Sequence, residues 1–164
     1  MAAKKLMCIL FGILVISTWV LEARAETMNY KFYSWVIKRE STPMADVAGH
    51  RVVHDKRGAF YVFENGEVAT VNHVTATDLL YFEGTLTQDT TINFPDGSTI
   101  TMKGQGTVSG WRGQVTSEII KGTGRFDGIK GTQAVKYKLV EAEEGEAGPP
   151  SYGEGTITYT LPSK

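Results

Sequence analysis

Two histidines, His50 and His54, stand four residues apart between Asp46 and Asp55, and these are residue types that can bind a metal ion. The valines between the histidines favour a strand. In a strand, residues four apart lie ~13 Å from one another. Both could not bind one zinc ion, because its three or four ligands must converge on the metal. We therefore predict no metal site, and we expect both imidazoles at the surface or at the rim of the fold.

Two carboxylates, Glu83 and Glu118, lie within apolar, strand-like segments and are candidate polar groups for a barrel lumen. If they faced a buried lumen, desolvation would raise the pKa of each carboxyl group. Such a shift often marks a functional site. In the alternative arrangement they point outward, because charged side chains are seldom fully buried. The sequence leaves both orientations open.

Nucleophilic catalysis and nucleotide binding are not indicated. No serine stands in the Gly-x-Ser-x-Gly context of a nucleophile elbow. The glycine-rich residues 121–131 do not match a dinucleotide-binding fingerprint, because Asp127 stands where a third glycine is required and no helix is predicted to follow. A P-loop is also missing. We therefore expect no cofactor.

Aromatic side chains are frequent in the strand-like segments and could form the walls of an apolar pocket. A barrel of about eight strands is either filled by its own side chains or holds one small ligand, and the sequence does not decide between these states. The candidate ligand-binding residues, including the two carboxylates, are Tyr61, Phe63, Tyr81, Glu83, Trp111 and Glu118.

The elements that must position these side chains are strands. Asn65-Gly66 separates two β-rich segments and predicts a hairpin with a type I′ turn, in which both central residues have positive φ. Pro95-Asp96-Gly97 predicts a second hairpin. Eight to ten short strands and several strand-interior glycines favour a closed barrel. We predict one all-β domain, residues 27–164, folded as a single closed antiparallel β-barrel.

The N-terminal residues resemble a secretory signal peptide. Lys4 and Lys5 precede the apolar residues 6–20, and Ala23-Arg24-Ala25 matches a cleavage site. A membrane-spanning helix needs ~20 apolar residues, and Glu22 and Arg24 end this segment too early. We therefore predict a signal peptide over residues 1–25 and an exported protein, periplasmic or extracellular.

Cleavage would leave a weakly acidic chain without cysteine. Of 17 basic and 18 acidic residues, Lys4, Lys5, Arg24 and Glu22 would be removed, which leaves 14 and 17 and a net charge of −3. Cys8 is the single cysteine, so the exported chain would depend on packing and hydrogen bonds rather than on disulfides. A nucleic-acid partner is not expected from this charge. No second apolar segment predicts membrane association, and the oligomeric state stays open.

The glycine-rich residues 121–131 predict a reversal of the chain, with Phe126 as a plug in the core. Gly-Thr-Gly-Arg-Phe at 122–126, with a glycine five residues after Phe126, resembles the G-G-T-G-x-F-x-x-A-x-G stretch of dirigent proteins and allene oxide cyclases. The hairpins over residues 60–71 and 94–101 also look like those of exported bacterial proteins with this barrel. The resemblance implies a small antiparallel barrel around an apolar lumen. This chain has Ile129-Lys130 where the plant families usually have Ala-Arg, and no catalytic residue can be carried over.

Two functions remain open at this point. The first is a module that binds a small apolar or amphipathic molecule in the barrel. The second, implied by the resemblance to allene oxide cyclases, is a cofactor-free isomerase or cyclase that orients a reactive substrate in a rigid pocket. A packed lumen would exclude both. An apolar cavity without an ionisable group would favour binding, and a cavity with a buried carboxylate would favour chemistry.

Overall fold

One closed antiparallel barrel of eight strands is formed by residues 25–163, which the computed structural model describes. The strands are β1 (Glu26–Pro43), β2 (His50–Phe63), β3 (Val68–Leu80), β4 (Glu83–Asn93), β5 (Thr99–Ser109), β6 (Arg112–Thr123), β7 (Lys130–Leu139) and β8 (Ser151–Thr160). Each strand pairs with the next, and β8 pairs with β1 to close the barrel. The predicted fold class is confirmed. The predicted signal peptide lies outside the described residues except for Ala25.

The two ends of the barrel differ in composition. At one end, here called the closed end, the turns at residues 64–67, 94–98 and 124–129 lie over a packed aromatic cluster. At the other, here called the open end, lie the loops at residues 44–49 and 140–150 and two short turns. The inward-facing side chains of β2 change along the strand from charged to aromatic. From the open end to the closed end they are Arg51, Val53, Asp55, Arg57, Ala59, Tyr61 and Phe63.

The two predicted hairpins are present. The turn at Asn65-Gly66, however, is not of the predicted type I′. Gly66 has φ of 84°, whereas Asn65 is not among the described residues with positive φ. The amide of Gly66 donates to the Phe63 carbonyl at 2.9 Å, and Asn65 Oδ1 accepts the Glu67 amide at 3.0 Å. This is a longer turn that ends in one left-handed glycine. Gly97, with φ of 83°, has the same role in the second hairpin.

The glycine-rich segment reverses the chain as predicted. It contains a 3-10 helix, Gly124–Phe126, and it places Phe126 in the core with 3% of its surface exposed. Phe126 packs against Phe94, with ring centroids 4.7 Å apart, and against Tyr159. At Gly122 a Cβ atom would collide with the Phe126 carbonyl, so the close approach of two backbone segments requires glycine there. Within residues 25–163, no helix is long and apolar enough to cross a membrane.

A β-bulge in β1 changes which side chains face the interior. Val36 pairs with Arg57 on β2 and Lys38 pairs with Lys56, so Ile37 is the additional residue. Before the bulge the even-numbered residues face inward, and after it the odd-numbered residues do, because one extra residue reverses the alternation. The bulge therefore turns Arg39 into the barrel, where it lies opposite Asp55 on β2.

Candidate functional site

The barrel is not filled to the open end. A cavity of about 310 Å³, here called the barrel cavity, begins above the rings of Phe32 and Tyr61 and reaches the open end beside Phe82 and Trp111. Its volume is at the lower limit of typical small-ligand sites, which are ~300–1,000 Å³. An eight-stranded barrel with such a space can hold one small molecule.

Most of the cavity wall is apolar. Each of the eight strands contributes inward-facing side chains to the cavity, so the whole barrel shapes it. Trp111 and Phe82 stand at the opening with more than half of their surfaces exposed. The remaining apolar wall is formed by Phe32, Val53, Tyr61, Leu79, Leu86, Val108, Val115, Val135, Tyr137 and Leu139.

One side of the cavity carries a buried ionic cluster. Arg39 binds the Asp55 carboxylate through two hydrogen bonds, from Nε at 2.7 Å and from Nη2 at 2.6 Å. Arg57 Nη1 donates to the same carboxylate at 3.2 Å. Asp55 and Arg57 are only 6% and 7% exposed. Both charges need partners at this depth, because an isolated buried charge is costly.

Arg57 also connects the strands to the loop at residues 140–150. Its Nε donates to Ser34 Oγ at 3.0 Å, and its Nη2 donates to the Pro149 carbonyl at 3.0 Å and to Ser151 Oγ at 3.3 Å. Desolvation lowers the pKa of Arg57 from its ordinary value, and Asp55 opposes that change. A guanidinium nevertheless stays protonated in proteins. The cluster therefore places fixed positive charge in an apolar cavity.

Two further ionisable side chains line the cavity in neutral form. Burial lowers the pKa of His73 to about 3, and the nearby Arg57 acts in the same direction. His73 Nδ1 lies 3.0 Å from Thr90 Oγ1, to which Gln88 Nε2 donates at 2.7 Å. Burial also raises the pKa of Tyr137 to about 12. At neutral pH these groups can offer hydrogen bonds but no charge.

The structure brings two of the six sequence-predicted residues to the cavity. Tyr61 forms part of its floor and Trp111 stands at its opening. Phe63 lies deeper, in the closed-end cluster, with its ring 5.5 Å from that of Phe94.

The other three predicted residues lie away from the cavity. Tyr81 is 60% exposed in the turn before β4, where its ring packs on Gly49. Glu83 and Glu118 are exposed, and Glu83 accepts a hydrogen bond from Ser109 Oγ at 2.9 Å. The functional roles of all six remain predictions.

Sequence reasoning missed Arg39, Asp55 and Arg57. Strict alternation along β2 would have placed Asp55 and Arg57 on the same face as Tyr61, but apolar residues on both faces of the segment 59–64 concealed which face is interior. Arg39 gave no signal, because the bulge that turns it inward has no glycine or proline to mark it. The hydrogen bond from Arg57 to the Pro149 carbonyl likewise depends on how the loop at residues 140–150 packs, which the sequence does not indicate.

The histidines near Asp46 lie on the outward face of β2. His50 is held at the open end by two carboxylates, with Nδ1 2.7 Å from Asp46 Oδ1 and Nε2 2.7 Å from Asp78 Oδ1. These contacts raise the pKa of His50 above its ordinary value. His54 is exposed. Within the described part of the chain, no group of three or more His, Cys, Asp or Glu side chains is placed to hold a metal ion.

Comparison with known proteins identifies the fold. No family model matches the sequence, and no curated protein matches it. A protein of unknown function of the DUF3224 family, from Shewanella oneidensis MR-1, aligns with a TM-score of 0.56 at 13% identity, over 86% of this chain and 100% of that one. The pterocarpan synthase dirigent protein GePTS1 aligns with a TM-score of 0.54 at 15% identity, over 90% and 96%. The pterocarpan synthase dirigent protein PsPTS1 aligns with a TM-score of 0.51 at 13% identity, over 85% of this chain and 97% of that one. The chain thus has a dirigent-like barrel fold, as the resemblance at residues 122–126 implied.

Proposed function

We propose that this protein binds one small amphipathic molecule in the barrel cavity. The observation that carries the proposal is the composition of the cavity: a mostly apolar wall with the Arg39–Asp55–Arg57 cluster on one side. Ligand sites are typically apolar with a few placed polar groups that fix the orientation of the ligand. An apolar body would lie against Leu86 and Val135, and its polar group would face the cluster.

The geometry of the barrel also favours binding through preorganisation. Most of the cavity wall belongs to strands that are paired on both sides, so binding requires little of the protein to become ordered. Phe82, Gly110, Trp111 and Pro149 come from the turns and the loop at the open end. The aromatic cluster at the closed end supports the floor, since Tyr61 stacks on Tyr30 with centroids 4.2 Å apart. A rigid cavity of this kind loses little conformational entropy when it is occupied.

Native mass spectrometry of the protein purified from its own source tests the proposal. A co-purifying small molecule is expected. Val108→Phe places a larger side chain in the cavity wall and should expel that molecule, whereas Val74→Phe, on the outward face of β3, should retain it. Absence of any bound molecule, together with failure of apolar probes to bind the purified protein, would contradict the proposal.

A cofactor-free isomerase or cyclase is the second candidate, and one observation favours it. The cavity contains a buried carboxylate, Asp55, together with the neutral His73 and Tyr137. Two of the structural neighbours are pterocarpan synthases by name. In this chain, however, both oxygens of Asp55 accept hydrogen bonds from arginine, so the carboxylate is already bound by protein donors and is less free to contact a substrate. Incubation of the co-purified compound with fresh protein distinguishes binding from catalysis, because a binding protein leaves the compound chemically unchanged.

A further inference from the structure

The charged residues lining the barrel cavity do not balance. Arg39, Arg51 and Arg57 contribute three positive charges, and Asp55 is the one acidic residue among the cavity-lining side chains of the described chain. His73 is neutral. The cavity therefore carries an excess of two positive charges in a mostly apolar wall, where each interaction with a charge is stronger than in water.

The single carboxylate is already occupied by its two arginine partners. Asp55 Oδ1 accepts from Arg39, and Oδ2 accepts from both Arg39 and Arg57. Arg57 donates its other hydrogen bonds to neutral oxygens of Ser34, Pro149 and Ser151. Hydrogen bonds to neutral oxygens satisfy its donors but do not neutralise its charge.

Two of the cavity-lining arginines, Arg39 and Arg51, keep guanidinium donors that no described protein acceptor uses. Arg39 is partly exposed, and within residues 25–163 its Nη1 donates to no protein acceptor. Arg51 lies two inward positions closer to the opening than Asp55, and it is in none of the ion pairs of the described part of the chain. An arginine fork matches the two oxygens of a carboxylate or sulfonate.

We propose that the molecule in the barrel cavity is an organic anion, whose acidic group binds Arg39 and Arg51 near the open end while its apolar body extends toward Tyr61. This inference rests on the proposed function and adds the charge of the ligand. Acidic side chains also surround the opening, in the loop at residues 140–150, but they are exposed and do not line the cavity. Their long-range repulsion is screened within ~8 Å at physiological salt.

A matched pair of fluorescent probes tests the inference on the whole protein. Anilinonaphthalene sulfonate is an anion, and phenyl-naphthylamine has the same aromatic rings without the sulfonate. We expect the anionic probe to bind at least about tenfold more tightly, because hydrogen bonds between oppositely charged groups are stronger than those between neutral groups. Arg39→Gln and Arg51→Gln should each reduce that ratio by several-fold.

Controls separate this inference from the proposed function. Lys56→Gln removes the same charge from the outward face of β2 and should leave the ratio unchanged. Arg51 is exposed, so Arg51→Gln should fold normally even if Arg39→Gln is unstable. The inference would be overturned, while cavity binding stands, if the two probes bind equally or the neutral probe binds more tightly. It would also be overturned if both arginine variants preserve the wild-type ratio of the two affinities. Failure of both probes to bind, or binding that Val108→Phe does not weaken, would overturn the proposed function and the inference with it.

Discussion

Arg39 and Asp55 face each other across β1 and β2 and are joined by two hydrogen bonds of 2.7 and 2.6 Å inside the barrel. The bulge between Val36 and Lys38 makes this contact, because without it Lys38 and Glu40 would face inward and Arg39 would face solvent. A local irregularity in one strand thus creates the polar side of the cavity.

Asp55→Asn should destabilise the protein strongly, because it leaves Arg39 and Arg57 in the cavity wall without a negative partner. We expect a loss of about 3–5 kcal/mol in the free energy of unfolding, measured by urea denaturation. Asp89→Asn removes an exposed carboxylate that lies 3.6 Å from Lys103 and should cost less than about 1 kcal/mol. Equal effects of the two substitutions would show that the buried cluster has no special role in stability.

The buried His73 should make stability fall with acidity. Its pKa is about 3 in the folded state against 6.5 in the unfolded state, so between these values the unfolded chain binds a proton that the folded chain does not. Stability is therefore fully present above pH 6.5 and decreases as the pH falls toward 3. As the pH falls through this range, the free energy of unfolding of the wild type should decrease faster than that of His73→Gln. The difference should be up to about 1.4 kcal/mol for each pH unit. Parallel curves for the two proteins between pH 6 and pH 4 would refute this role.

Phe126 should contribute stability rather than binding, because it fills the closed end and does not line the cavity. Phe126→Ala is expected to cost about 3–5 kcal/mol in the free energy of unfolding, since it empties a buried site. Phe60→Ala, on the outward face of β2 where the ring is about half exposed, should cost far less. In folded Phe126→Ala protein, the affinity for phenyl-naphthylamine should match the wild type within about twofold. Loss of probe binding in that folded variant would argue against two independent ends.

Export is predicted from residues 1–25 and can be measured directly. Mass spectrometry of secreted or periplasmic protein should find an N-terminus at or near Glu26, because the small residues at Ala23 and Ala25 fit a cleavage site. Ala25→Lys should block processing, whereas Ala2→Lys, which adds the same charge in the basic N-terminal region, should not. Intact protein beginning at Met1 in the membrane fraction would contradict export.

The sequence predicted the barrel, because two of its hairpins and the glycine-rich reversal carry local turn signals. Glycine at 66 and at 97 marks left-handed turn positions, and Phe126 is the one aromatic residue in a glycine-rich reversal. The turn type predicted at Asn65 was wrong. The loop is longer than two residues, and such a loop does not require positive φ at its asparagine. The polar side of the site depends on the bulge and on loop packing, which are tertiary features without a local sequence signal. From the sequence, Tyr61 and Trp111 were candidates for the wall of a lumen, whereas Arg39 was not.

Binding in the barrel cavity can be located by intermolecular nuclear Overhauser contacts between bound phenyl-naphthylamine and the protein. We expect contacts from the probe to the methyl groups of Leu86 and Val135 and to the ring of Tyr61, all of which line the cavity. We expect no contacts to Val62 and Val74, whose side chains lie on the outer surface of β2 and β3. Contacts confined to those outer residues, or a probe that does not bind, would contradict a ligand-binding cavity in this barrel.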